Sequence, residues 1–184
     1  VCFFPSENSA EMLFNIVQRV FDTYDAWDER MQRMALSERT MRTLLDSSYR
    51  IFHNPILVCT SAGFIIDYST MMDTMPEFQD MLQHNQILAA VKSEISSPSG
   101  EVQKYEDPQT QKNNLFVEIY DKNHNAYRVL LAESSRKFRH YDEYLLVHLS
   151  KYIQQMLEKY TVLQSDLSYT LDRLLSNILF QPAD

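Results

Sequence analysis

Residues 54–69, NPILVCTSAGFIIDYS, decide the fold. Two short apolar runs, 56–59 (ILVC) and 64–66 (FII), flank Thr60-Ser61-Ala62-Gly63. β-Branched residues on both sides of a glycine-bearing turn predict a β-hairpin. Gly63 is one of only two glycines in 184 residues, and here it supplies the positive φ that the turn needs.

Helical patterns lie on both sides of this hairpin. Upstream, Leu13, Ile16, Val17, Val20, Tyr24, Trp27, Met31 and Met34 recur in steps that build one helical stripe. Met41, Leu44, Leu45, Ile51 and Phe52 form a second apolar face. Asn54-Pro55 ends it, because a residue before proline resists the α conformation. Downstream, Pro76 suits the first turn of a helix. The spacing of Phe78, Met81, Leu82, Ile87, Leu88 and Val91 extends that helix to about Ile95.

After a loop at 96–100, residues 101–106 predict a short strand carrying Val102 and Tyr105. Residues 115–120 and 126–132 predict a second hairpin around the turn Asp121-Lys122-Asn123-His124-Asn125, whose residues tolerate left-handed backbone. From Tyr141 the helical period returns through Leu145, Leu149, Tyr152, Met156, Tyr160, Leu163, Leu167, Leu171, Leu174 and Ile178. Either one helix of about 40 residues lies here, or two meet near Ser165-Asp166. The spacing allows both.

Strands joined by hairpins make an antiparallel sheet, which helices must cover. The expected class is therefore α+β, with an antiparallel sheet of about five strands and long N- and C-terminal helices. The expected organisation is an N-terminal helical extension over 1–37, a central domain over 38–163 and a C-terminal helix over 164–184.

Composition excludes several functions. Two glycines leave no room for a phosphate-binding loop, a dinucleotide fingerprint or a nucleophile elbow. A net charge of −8 without a Lys/Arg run argues against a nucleic-acid surface. Cys2 and Cys59 are too distant in sequence to suggest a disulfide framework, which fits a reducing, cytoplasmic setting. No apolar stretch of transmembrane length occurs, and VCFFPSENS lacks the basic start of a signal peptide. The absence of an initiating Met reads as a processed or excised piece of something longer.

Catalytic spacing is also missing. His53, His84, His124, His140 and His148 include no i, i+4 pair, so neither a metal site nor a cofactor is expected. Cys59, inside an apolar strand, reads as a structural thiol more readily than as a nucleophile. Glu118, Asp121 and Glu133 read as acids on the wet face of a hairpin, and Asp142-Glu143 as a dipole-favoured helix start. No enzymatic activity is expected. The cluster Met71, Met72, Met75 and Met81 suits either core filling, the simpler reading, or an adaptable pocket. For a small ligand, the candidate set is Cys59, Tyr68, Met72, Met75, Tyr120 and Arg128. The last helical stripe exceeds what one small sheet can cover, so Leu149, Tyr152, Met156, Leu163 and Leu167 are candidates for a dimer interface.

The runs Asn54-Pro55-Ile56-Leu57-Val58 and 61–69 (SAGFIIDYS) resemble the opening of PAS/GAF-like sensor domains in bacterial transcription regulators of the PucR-like, purine-catabolism and sugar-diacid types. Residues 138–146 (FRHYDEYLL) resemble the lead into the last helix of a GAF domain. Residues 171–179 (LDRLLSNIL) resemble the segment that precedes such a regulator's output region. The resemblance spans about 38–180. It implies a ligand-sensing or dimerising input domain that forms a homodimer and answers a small-molecule effector. DNA would be met only through a C-terminal output domain absent from this sequence, and no membrane is involved. Pocket residues vary within these regulators, so no ligand is implied. The alternative is an interaction or dimerisation module that has no pocket.

Overall fold

The computed structural model describes residues 7–37, 39–87, 100–107 and 111–179, with side chains from 10 to 160. Helix α1 spans Glu7–Leu36 and α2 spans Met41–Phe52. Strands β1 (Ile56–Thr60) and β2 (Ile65–Tyr68) form the first hairpin. Two 3-10 turns, Thr70–Thr74 and Pro76–Phe78, lead into the short helix α3, Gln79–Gln83. Strands β3 (Val102–Glu106), β4 (Asn113–Tyr120) and β5 (Ala126–Ala132) precede helix α4, Asp142–Leu179. The question of one helix or two is answered here by a single unbroken α4, about 57 Å long at 1.5 Å per residue.

The strands form one antiparallel sheet in the order β2-β1-β5-β4-β3, an α+β arrangement consistent with a GAF/PAS-like fold. Central strand β5 is flanked by β1 and β4, so residues in register share a face across three strands. Val58, Val129 and Val117 make one such row, and Leu57, Leu130 and Phe116 the next. Both faces are buried, which explains why 56–59 is a continuous apolar run.

On the inner face, Ile56, Val58, Val117 and Val129 pack with Trp27 and Met31 of α1, Leu44 and Phe52 of α2, and Leu146, Leu149 and Ile153 of α4. On the outer face, Leu57, Cys59, Phe116 and Leu130 pack with Met72 and Ile87. Gly63 has φ +86° and closes the first turn, with its N–H donating to Thr60 O at 2.8 Å. Helix α2 stops because His53 turns left-handed at φ 51°.

The helix expected to run from Pro76 to about Ile95 ends at Gln83. Asn85 adopts φ +51°, Gln86 bridges to Phe64, and Ile87 N donates to Gly63 O at 2.9 Å. The chain there joins the sheet edge instead of coiling. Leu88, Val91 and Ile95 lie outside the described residues.

The acids expected on a wet surface are buried. Asp121 accepts from Asn123 N at 2.8 Å and Asn125 N at 2.9 Å, which fastens the second hairpin turn. Burial opposes ionisation of Asp121, but the bond donated by Asn125 Nδ2 at 2.8 Å, together with these two, outweighs it and holds its pKa below the usual carboxylate range. Glu133 accepts from Asn113 N at 3.2 Å, Phe138 N at 3.1 Å and Lys137 Nζ at 3.1 Å. Against the cost of burial, these bonds lower its pKa to about 2.

A carboxylate depressed in this way stabilises the fold fully above its unfolded pKa, and that stabilisation is lost as pH falls towards the folded value. At about 1.4 kcal/mol per pKa unit, Glu133 contributes about 3 kcal/mol that disappears between about pH 5 and pH 2. Thermal melts across this window are expected to show Glu133→Gln losing less stability on acidification than the parent chain. Parallel acid profiles for the two would refute the assignment.

A line of polar contacts joins the start of β1 to the start of α4. Asn54, fully buried, accepts at Oδ1 from Ser134 N, Ser135 N and Arg136 N at 3.2, 3.0 and 3.1 Å. Its Nδ2 donates to Arg136 O at 2.9 Å. Arg136 then donates from both Nη atoms to Asp142 at 2.7 and 2.8 Å. Asp142 is fully buried and also accepts from Arg139 N at 2.7 Å. Its helix-start position favours the negative charge, but the ion pair fixes it.

Candidate functional site

The row after Leu57–Leu130–Phe116 on the outer face is Cys59, Arg128 and Glu118, from β1, β5 and β4. Arg128 and Glu118 are both buried, at 6% and 9% exposure, and Arg128 Nε lies 3.5 Å from Glu118 Oε2. Tyr120, two residues along β4 on the same face, donates its hydroxyl to Glu118 Oε1 at 2.5 Å. That bond to a carboxylate raises the Tyr120 pKa. Among the described residues, the buried Arg128 Nη1 has no hydrogen-bond partner. A guanidinium has five donors in a rigid fork, and an unsatisfied buried one carries a desolvation cost.

Cys59 faces this cluster as a neutral thiol. Burial pushes its pKa up to about 12, and the positive charge of Arg128 only partly offsets that. It is therefore a poor nucleophile at neutral pH. What the row can do is hold an anion, with Arg128 as the charged fork, Tyr120 at one end and apolar walls from Leu57, Phe116 and Leu130.

Of the candidate ligand set, the fold brings together Cys59, Tyr120 and Arg128, with Met72 buried in the same outer cluster as Cys59. Tyr68 stays on the edge strand, where Arg42 stacks over its ring at 4.2 Å and its hydroxyl donates to Asp73 at 2.9 Å. Met75 sits against Ser134, whose Oγ lies 3.6 Å from its Sδ. Glu118 belongs to the cluster although its sequence position suggested a wet face. The second hairpin held the signal for it, since pairing across the turn at 121–125 sets residue 118 opposite 128.

Of the candidate dimer residues, Leu149 and Met156 are buried within their own chain's core and offer no surface to a partner. Tyr152 donates its hydroxyl to Asp28 at 2.7 Å, and His148 bonds the same carboxylate oxygen. The Leu163 and Leu167 side chains lie outside the described residues.

A wide concavity lies elsewhere. It is a groove of about 930 Å³ between α1, the end of α2 and the start of α4, lined by Ile16, Val20, Tyr24, Ile51, Tyr144 and Leu145, with Arg19, Arg50 and Arg139 beside them. No group of three or more metal-ligating side chains occurs among the described residues. No helix there is long and apolar enough to cross a membrane.

No family model matches the chain. No curated protein matches it either. One solved structure that it resembles is described as the crystal structure of the E. coli DhaR(N)-DhaL complex, at 12% identity and a TM-score of 0.44. The match covers 89% of this chain and 59% of the other, so the chain spans little more than half of that neighbour's length.

Proposed function

We propose that this chain is the regulatory input domain of a cytoplasmic bacterial transcription regulator. An anionic small molecule, held on the outer sheet face by Arg128, biases how the sheet packs against the terminal helices. The observation that carries this reading is the buried Arg128 Nη1, a charged donor without an acceptor among the described residues. Strands β1, β4 and β5 serve both faces, so a shift at Arg128 is felt by the inner core against α1, α2 and α4. The Asn54–Arg136–Asp142 line gives a polar route from β1 to the first residue of α4. Self-association and a long α4 then pass the bias to an output domain that contacts DNA. The chain itself performs no catalysis.

Thermal melting with small mono- and dicarboxylates and inorganic phosphate tests this reading. A ligand at 100 times its Kd stabilises by about 2.7 kcal/mol. That corresponds to about 5–10 °C for a chain of this size. The rise is expected in the parent and absent from the double variant Arg128→Met/Glu118→Gln, which removes the pair without stranding a buried charge. If no anion shifts the parent, the effector reading fails.

A second reading, an interaction module without a small-molecule pocket, is favoured by one observation. The groove of about 930 Å³ lies at the helix ends and not on the outer face. Under that reading the parent shows no shift with any anion.

A further inference from the structure

Helix α1 outruns the body it packs on. From Tyr24 onward its apolar stripe is covered by its own chain, with Trp27, Met31 and Ala35 buried. Every residue from 10 to 23 is exposed. Yet this stretch carries Leu13, Phe14, Ile16, Val17, Val20 and Phe21, at 43–66% exposure. A helix draws most of its stability from packing an apolar face, and four turns of bare stripe call for a cover.

The chain's other long helix cannot supply it. Tyr24 meets Tyr141, Asp28 meets Tyr152, and Lys159 reaches Ser37 O, so α1 and α4 run in the same direction. The part of α4 beyond Tyr160 therefore leaves from the end opposite the bare turns of α1.

We infer that residues 10–23 of α1 pair antiparallel with the same segment of a second copy of this chain. Two observations select this occupant. The first is charge. Residues 7–18 contain Glu7 and Glu11 and no Lys or Arg, whereas the groove at the base of the bare stripe carries Arg19, Arg50 and Arg139. Antiparallel pairing carries the acidic first turns of each helix towards the basic groove of the other. Asp22 and Asp25 are not part of that groove lining. The second is space. The stripe that is bare at Leu13, Val17 and Val20 faces the chain's own body from Tyr24 on, so parallel helices would drive both bodies into one place. Antiparallel helices set them at opposite ends of a closed two-fold pair.

This inference rests on the self-association in the reading above and is independent of the effector. Light scattering on the purified 184-residue chain between 1 and 100 µM, roughly, is the test, that range bracketing Kd values typical of modest interfaces. The parent is expected to be a dimer at the upper end. Val17→Glu is expected to be a monomer throughout whose far-UV circular dichroism loses no more than the helix signal of residues 10–23, while Leu36→Glu, on the same helix but outside the patch, stays dimeric. In a Cys2→Ser background, mixing Leu13→Cys with Val20→Cys is expected to give a mixed disulfide dimer in excess of either like-with-like dimer. A dimeric parent with a dimeric Val17→Glu overturns the α1 pairing and leaves self-association standing. A monomeric parent overturns both. Like-with-like disulfides alone overturn the antiparallel arrangement.

Discussion

Asn54→Ala is expected to destabilise the chain by about 2–6 kcal/mol, since it removes four hydrogen bonds at about 0.5–1.5 kcal/mol each. One side-chain oxygen receives three successive backbone N–H groups, from Ser134, Ser135 and Arg136. Alanine offers no acceptor in its place, and Asn54 itself is fully buried. Asn54→Asp keeps the acceptor and loses only the bond from Nδ2 to Arg136 O, so its loss should be smaller. Urea unfolding at constant m value measures both. A loss below about 1 kcal/mol for the alanine variant, within the range of a typical substitution, would show that water substitutes at this clasp.

Arg136→Met is expected to cost about 3–5 kcal/mol, the usual penalty for stranding one partner of a buried ion pair. Asp142 is fully buried and would keep only the bond from Arg139 N of those it now accepts. The Arg136 guanidinium, its pKa raised further by the bonds to Asp142, stays charged at any working pH. Arg136→Met/Asp142→Leu should recover much of the loss, because an apolar pair of similar size avoids the uncompensated charge. A double-mutant cycle with additive losses would refute the coupling.

Both hairpins were legible because their signals are local. Gly63 needs no distant partner to turn positive, and Asp121 to Asn125 form a turn wherever they fall. The α+β class followed, since hairpins force antiparallel neighbours. The length of α4 was visible as a stripe, but whether it broke at Ser165-Asp166 was not, because a capping residue is equally at home inside a helix. The end of α3 was not legible either. Ile87 suits a helical period, and only the proximity of Gly63 and Phe64 makes the sheet edge the better partner for 86 and 87.

The carboxylates show the same division. Hairpin pairing sets Glu118 opposite Arg128, but whether that face of the hairpin meets water depends on elements elsewhere in the chain. Glu133 owes its burial to Asn113 on β4 and to the loop that follows it.

By itself the sequence determined which segments coil, which extend and where they turn, because those preferences reside in single residues and their near neighbours. The tertiary structure alone decided what covers each apolar stripe. Leu149 and Val17 look alike as stripe residues, yet one is sealed in the core and the other stands bare, because coverage depends on where other elements end in space.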